Sequence, residues 1–387
     1  MKKHYGFIIA GLALFSMFFG AGDLIWPLIL GGDSGNKNFY AMWGLLITGV
    51  TLPLLGLIAM MLFRGDYRAF FGQTGKVPGW ILIFIIQAIL GPFGSLPRLI
   101  TLSFATLKPY MPALITLPLF SILSSLLVYL FTLKKHRVVD LIGIVLSPLL
   151  LISLGAILVI GFIHPPAPQT IEMTDRAAFF SGLNVGYNTL DLIASFIFAP
   201  LVLAYFTTSN GENETMEEKR EIFKKMGKAC LLAAGLLAAM YFGLTYIASY
   251  YTPFLPPHAP EERLASIAHH LLGNVGAFFS CMAIALSCLT TAIPISAISA
   301  SYIHEDLFGK KGSLALATGI SLGLSALVAN IGFMGIAGML SPILQIFCPG
   351  LIILSILNIL HKLYEMRMQR IPVFAAFALS TIGYLVR

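Results

Sequence analysis

Charge is what this sequence lacks most. Only 11% of its 387 residues are Asp, Glu, Lys or Arg, and 58% are hydrophobic, whereas soluble domains carry about 25% charged residues. So few charges cannot cover a surface that faces water. Residues 271–303 and 312–360 contain no charged residue and no histidine, and each run exceeds the roughly 20 residues that one helix needs to cross a bilayer. We therefore predict an all-α polytopic membrane protein embedded in a lipid bilayer.

Cysteine and the signature motifs of enzymes are also scarce. The four cysteines lie in apolar runs without a Cys-x-x-Cys pair, which argues against disulfides and against a zinc site. Walker loops, nucleophile elbows, His-Glu-x-x-His motifs and dinucleotide fingerprints do not occur in the sequence. The net charge of +7 comes from short loops, not from a basic patch with interleaved aromatics. We therefore expect no enzyme, no cofactor and no nucleic acid partner, and nothing indicates an obligate protein partner.

Hydropathy divides the chain into eleven predicted spans. When the N-terminus is placed on the cytoplasmic side, 18 Lys and Arg fall in inner loops and 5 in outer loops. This bias supports the orientation because positively charged loops remain inside. We predict no second soluble domain, so residues 1–387 form one transmembrane domain. The predicted spans are 7–30, 39–63, 79–107, 114–133, 139–163, 179–206, 227–250, 266–303, 312–332, 335–360 and 371–386.

Two of the predicted spans are interrupted by glycine and polar residues. Span 1 contains Gly20-Ala21-Gly22-Asp23, and span 6 contains Gly186-Tyr187-Asn188-Thr189-Leu190-Asp191. Each of these spans opens a unit of five, so we predict an inverted repeat over residues 7–163 and 179–360, with an extra span at 371–386. Interrupted helices at matching positions of two repeats point to the binding site of a transporter.

The interruption in span 1 offers several kinds of ligand. Glycines at 20 and 22 lower helix stability by about 1 kcal/mol each relative to alanine. Freed carbonyls can then bind a cation, and freed amides can bind a carboxylate. Asp23 adds a charge that costs about 2.5–3.5 kcal/mol at the bilayer centre unless it is paired. The alternative is that small residues only allow close helix packing, which does not explain the aspartate.

Span 6 contributes a second polar cluster. Tyr187 can close over a ligand, and Asn188 and Thr189 can donate and accept hydrogen bonds. Asp191 is either a site residue or a structural anchor to another helix.

Spans 3 and 8 carry further candidates. In span 8, the hydroxyls of Ser287, Thr290 and Thr291 either suit a sodium ion or bond back to carbonyls of their own helix. In span 3, Arg98 either pairs with an intramembrane carboxylate or reaches the outer interface, and we favour the interface or a role as a gate.

At these residues the chain resembles the bacterial branched-chain amino acid:cation symporters (the BrnQ type, or LIVCS family). The resemblance covers nearly the whole chain and rests on four blocks that occur in order. The blocks are Leu14 through Pro27, Gly91-Pro92-Phe93 through Pro97-Arg98, Gly186 through Asp191, and Cys288-Leu289-Thr290-Thr291-Ala292-Ile293.

The resemblance implies uptake of Leu, Ile and Val coupled to Na⁺ or H⁺, by alternating access across the bacterial cytoplasmic (inner) membrane. It also implies a LeuT-like 5+5 inverted-repeat fold. By analogy within that fold, the substrate lies between the two breaks, against Gly20, Ala21, Gly22, Asp23, Gly186, Tyr187, Asn188 and Thr189. One Na⁺, and no other metal, is bound by Ser16, Phe19, Asp23, Ser287, Thr290 and Thr291.

The chain departs from the family pattern in two places. The family usually has Asn where this chain has Asp23, and a carboxylate can either bind Na⁺ more strongly or accept a proton, so the coupling ion stays open. The family usually has twelve spans, whereas we predict eleven, and the missing one lies outside the ten-helix core. Two alternatives remain: a carrier of another amino acid or an amine on the same fold, or a channel or membrane enzyme.

Overall fold

A computed structural model describes residues 2–133, 142–163, 165–207, 216–255, 260–366 and 370–386. This described part of the chain is built from helices and contains no strand. The α-helices are α1 (Lys2–Phe18), α2 (Ala21–Ser34), α3 (Asn38–Leu46), α4 (Leu52–Leu62), α5 (Tyr67–Gly72), α6 (Lys76–Leu90), α7 (Ser95–Leu107), α8 (Leu117–Thr132), α9 (Ser147–Ile163), α10 (Asp175–Tyr187), α11 (Asp191–Phe206), α12 (Met216–Tyr251), α13 (Arg263–Tyr302), α14 (Leu314–Val328), α15 (Phe333–Tyr364) and α16 (Ile371–Leu385).

Helices of sufficient length and hydropathy occupy most of the predicted spans. Six helical segments of the described chain are long and apolar enough to cross a membrane, and the pair α10 and α11, bent by 42°, makes a seventh. Four shorter apolar helices occupy the rest of the predicted positions. They are Gly6–Phe18, Leu117–Thr132, Leu314–Ala329 and Ile371–Leu385.

The helices pack in reciprocal pairs. Both halves of span 1, α1 and α2, pack against α12 of span 7, and both halves of span 6, α10 and α11, pack against α3 and α4 of span 2. The first helix of each five-span unit therefore contacts the second helix of the other unit. In addition, α7 of span 3 packs on α13 of span 8, and α8 of span 4 packs on α14 of span 9. This reciprocity is that of an inverted repeat; the limits 7–163 and 179–360 stay a prediction.

Three spans are broken near the middle of the bundle. Between α1 and α2, Gly20 is extended, with φ of −107° and ψ of −154°. Between α10 and α11, Leu190 has φ of +76°, a left-handed conformation that costs a non-glycine residue roughly 1–2 kcal/mol. The third break, at residues 91–94 between α6 and α7, places Arg98 in the first turn of α7. Pro294, by contrast, does not interrupt α13, whose kink lies at Gly273, with φ of +58°.

Candidate functional site

At the break in span 1, the Asp23 side chain caps the N-terminus of α2. The Gly20 N–H donates a 2.7 Å hydrogen bond to Asp23 Oδ2, so the carboxylate caps the first turn of α2. The positive end of a helix dipole favours an acidic group at this position. Asp23 is only 1% exposed, so its charge lies inside the bundle and requires partners there.

The Tyr241 hydroxyl connects the second carboxyl oxygen of Asp23 to Asp191 at the break in span 6. The Tyr241 hydroxyl of α12 lies between Asp23 Oδ1, which it contacts closely, and Asp191 Oδ2 at 2.6 Å. All three side chains are buried. A phenol carries one hydrogen and can donate to only one of the two carboxyls. The other contact is a hydrogen bond only when that carboxyl is protonated, so the geometry fits a cluster that shares one carboxyl proton.

Arg98 is buried inside the bundle and lines the same small cavity as Asp23 and Asp191. Its side chain is 2% exposed, its Nη1 donates to the Asn188 carbonyl at 3.1 Å, and its guanidinium lies 4.9 Å from the centre of the Phe333 ring. The expectation that Arg98 reaches the outer interface is therefore wrong, because the break at residues 91–94 sets it at the depth of the other two breaks. Within the described chain no carboxylate oxygen lies within 4.0 Å of it, and its Nε and Nη2 have no hydrogen-bond partner.

Arg98 and the two carboxyls line one small cavity. Its volume is about 20 Å³, enough for roughly one water molecule and much less than a branched side chain requires. The residues of the two breaks that line it are Gly20, Ala21, Gly22, Asp23, Thr189, Leu190 and Asp191, together with Arg98 and Thr291.

Not every predicted substrate residue faces this cavity. Gly186 lies against Thr48 of the π-helical turn in span 2, where a Cβ would lie 1.9 Å from Thr48 Oγ1, so this glycine serves helix packing. Tyr187 is half-buried and is not part of the cavity lining. Asn188 contributes its carbonyl to Arg98, while its side-chain amide donates to Asn184 O at 3.2 Å.

The predicted ion ligands of spans 1 and 8 lie together. Ser287 Oγ donates to the Phe19 carbonyl at 2.5 Å. The Thr291 hydroxyl donates to the Ser16 carbonyl at 3.1 Å. The Thr290 hydroxyl lies 2.9 Å from the Ser16 carbonyl and also 2.9 Å from the Ser287 carbonyl of its own helix. The cluster thus brings two carbonyl and three hydroxyl oxygens together in a buried place, and these are hard oxygen ligands of the kind that alkali cations prefer. We call it the span 1–span 8 oxygen cluster.

Two predicted ion ligands contribute differently from what the sequence suggested. The Ser16 side chain turns away and donates to Ser147 Oγ at 2.7 Å, so Ser16 offers only its carbonyl. Asp23 binds Gly20 and Tyr241, and no hydrogen bond within the described chain joins it to span 8. Gly20 links the two clusters by contact, since a Cβ there would lie 3.1 Å from Thr291 Cγ2.

Tyr241 is the central residue that sequence reasoning missed. A signal existed: tyrosines of membrane helices concentrate at the interfaces, whereas Tyr241 falls in the middle of the predicted span 227–250. A buried tyrosine hydroxyl normally has a polar partner. Ser147, which supports Ser16, gave no comparable signal because a serine in a span commonly bonds to its own helix.

The reciprocal helix packing and the charged site between broken helices define a polytopic membrane transporter. The profile of the family described as "Branched-chain amino acid transport protein" matches residues 3–385. The branched-chain amino acid permease BrnQ of Bacillus subtilis (strain 168) is 31% identical over 369 residues, which cover 92% of this chain and 82% of the permease. The chain belongs to this family, as the sequence blocks indicated, and is a transporter and not an enzyme.

Further relatives agree with this assignment. A putative branched-chain amino acid carrier protein of Staphylococcus aureus (strain bovine RF122 / ET3-1) is 30% identical over 400 residues, covering 97% of this chain and 87% of the carrier. Among solved structures, the inward-facing conformation of Mhp1 superposes with a TM-score of 0.61 at 11% identity, covering 97% and 88% of the two chains. A manganese transporter of Eremococcus coleocola gives 0.61 at 13% identity, covering 98% and 85%. The fold is therefore the LeuT-like 5+5 inverted repeat with an additional C-terminal helix.

Proposed function

We propose that the protein imports Leu, Ile and Val by alternating access, coupled to Na⁺ or H⁺ entry across the bacterial cytoplasmic membrane, with a cytoplasmic N-terminus. The observation that carries the proposal is the small cavity between the two broken helices, which Asp23, Asp191 and Arg98 all line. The names of the relatives support the substrate class, since they are described as a branched-chain amino acid permease and a putative branched-chain amino acid carrier.

The charge of the site supports coupling to one cation. When Asp23, Asp191 and Arg98 are all ionised, the cavity has a formal net charge of −1. A zwitterionic amino acid adds no net charge, so the loaded site becomes neutral only if one cation enters with it. Burying an uncompensated charge at this depth costs several kcal/mol, and that cost favours joint binding of substrate and cation.

Two places in the site suit a cation. A proton fits the Asp23–Tyr241–Asp191 cluster, because its three oxygens lack one hydrogen for their two contacts. Na⁺ fits the span 1–span 8 oxygen cluster, where it would replace the hydroxyl hydrogens that now bridge Ser16 and Phe19 to α13. The two sites share no ligand, so the dependence of uptake on Na⁺ and its dependence on H⁺ can be separated by experiment.

The size of the cavity requires movement. About 20 Å³ does not admit an amino acid, so the half-helices α2 and α11 must move apart for a substrate to enter. Hinge-like motion of repeats around a central site is how such folds alternate their access.

Purified protein in proteoliposomes tests the proposal. Leucine uptake is measured with the Na⁺ gradient and the pH gradient imposed separately and together. Accumulation above equilibrium that depends on either gradient, and competition by unlabelled Ile and Val, is the expected result. Uptake that only equilibrates leucine refutes coupling, and preference for another solute refutes the substrate class.

A further inference from the structure

The helix ends at the two breaks are unsuited to bind an anion. The N-terminus of a half-helix ordinarily attracts a carboxylate, because its free N–H groups and its dipole are positive. Here Asp23 lies in the first turn of α2 and accepts the Gly20 N–H at 2.7 Å. Asp191 is the first residue of α11. Both positive ends therefore already face a carboxylate of the protein, which would repel the carboxylate of a substrate.

Arg98 is the cation that lines the same cavity. Its Nη1 is engaged by Asn188 O, and the Phe333 ring packs on the guanidinium. Among the described residues, Nε and Nη2 have no hydrogen-bond partner, and these two atoms share one edge of the guanidinium. This edge presents two parallel N–H groups, the arrangement that binds a carboxylate with two hydrogen bonds.

Gly22 lies close to that edge and has no side chain to cover it. A Cβ at Gly22 would lie 3.2 Å from Arg98 Nη2 and 2.8 Å from the Thr189 carbonyl. A guanidinium that is 2% exposed and has two unused donors carries a large desolvation cost. A ligand with two acceptor oxygens would remove that cost.

We propose that the Nε–Nη2 edge of Arg98 binds the α-carboxylate of the transported amino acid, while Asp23 and Asp191 bind its ammonium group. The inference rests on the proposed function and adds the orientation of the substrate. The zwitterion lies with its carboxylate toward span 3 and its ammonium toward the half-helix ends, opposite to the orientation that helix dipoles alone would favour.

Equilibrium binding of leucine and leucinamide to the purified protein tests this orientation. Leucinamide keeps the amino group and the side chain but lacks the carboxylate. We expect the wild type to bind leucine at least roughly tenfold more tightly than leucinamide. In Arg98→Gln, leucine binding falls roughly 10- to 100-fold, as expected for the loss of a charged hydrogen-bonded pair, and leucinamide binding changes less than about threefold, so the preference disappears.

Control variants separate a binding role from a structural one. Arg176→Gln makes the same chemical change at an exposed arginine and should keep the wild-type preference. Arg98→Lys keeps the charge without the two-donor edge, so leucine binding should weaken more than leucinamide binding. If Arg98 only balances the charge of Asp23 and Asp191, Arg98→Lys keeps that charge and therefore keeps the wild-type preference for leucine, and that result overturns the inference. If Arg98→Gln does not fold, the same comparison in Arg98→Lys decides.

The proposed function has its own control. Gradient-driven leucine uptake by the wild type tests it without any variant. If the wild type takes up no leucine, thermal stabilisation by other α-amino acids and by their amides replaces leucine in the comparison. Stabilisation by amino acids and not by their amides, lost in Arg98→Gln, supports the role of Arg98; equal effects of acids and amides, or none, refute it.

Discussion

Gly22→Ala tests whether close approach of the two breaks builds the site. A Cβ at this position would lie 2.8 Å from the Thr189 carbonyl oxygen and 3.0 Å from Thr189 Cα. Both are backbone atoms, so no side-chain rotation relieves the contact and the two broken segments must separate. Overpacking of this kind costs about 1–3 kcal/mol, which exceeds the gain of up to about 1 kcal/mol from replacing glycine in a helix.

The matched control is Gly235→Ala in α12. This glycine is exposed at the surface of the bundle, and no atom lies within 4 Å of a Cβ built there. Only the helix propensity changes, so Gly235→Ala should raise stability slightly, whereas Gly22→Ala should lower it by up to about 2 kcal/mol. The two identical chemical changes are thus expected to have opposite signs.

Thermal unfolding in detergent and leucine uptake in proteoliposomes measure both variants. Gly22→Ala should melt at a lower temperature than the wild type and transport leucine roughly 5- to 30-fold more slowly, the population change that 1–2 kcal/mol produces. Gly235→Ala should transport normally. A Gly22→Ala protein that is as stable and as active as Gly235→Ala would show that contact between the breaks is not required, and the description of the site would be wrong.

Three further changes test the cation sites. Tyr241→Phe removes the hydroxyl between Asp23 and Asp191. Uptake should fall at least about tenfold, since a hydrogen bond to a charged group contributes roughly 1.5–3 kcal/mol. Tyr250→Phe, on the same helix, is the control, and equal activity of the two variants argues against the cluster. Asp23→Asn should make uptake less dependent on pH and more dependent on Na⁺, and unchanged profiles for both ions would exclude a coupling role for Asp23. Thr290→Ala combined with Thr291→Ala should raise the Na⁺ concentration needed for half-maximal uptake, and an unaltered Na⁺ requirement would remove the oxygen cluster from the ion path.

Many residues of this site could be predicted from the glycines and polar residues that interrupt apolar segments. The glycines and carboxylates at Gly20–Asp23 and at 186–191 stand out because a bilayer makes loose backbone and charge costly. The hydroxyls of Thr290 and Thr291 were candidate ion ligands from their pattern, the resemblance favoured that hypothesis, and the structure brings them to the Ser16 carbonyl. Gly186 was misjudged as a substrate residue, because a glycine that permits helix packing and a glycine that frees the backbone look alike in sequence.

The contacts of Arg98 and Tyr241 could be found only from the tertiary structure. Arg98 lies late in an apolar segment of the sequence, and a side chain there was expected to reach the outer interface. The break at residues 91–94 instead sets it beside Gly22. Tyr241 lies 218 residues from Asp23 and 50 from Asp191, and no local pattern encodes a contact over such separations.

The sequence by itself determined that the protein is an all-helical membrane transporter with two interrupted helices, because hydropathy and helix breaking are local properties that bilayer physics makes severe. Only the tertiary structure decided which charges face one another. Packing of α2 and α11 against α12 brings Asp23 and Asp191 onto one tyrosine, and Arg98 lines the same cavity as these carboxyls. That arrangement depends on how helices distant in the chain pack together. A buried charged group has no water to interact with, so the neighbouring protein groups determine its role.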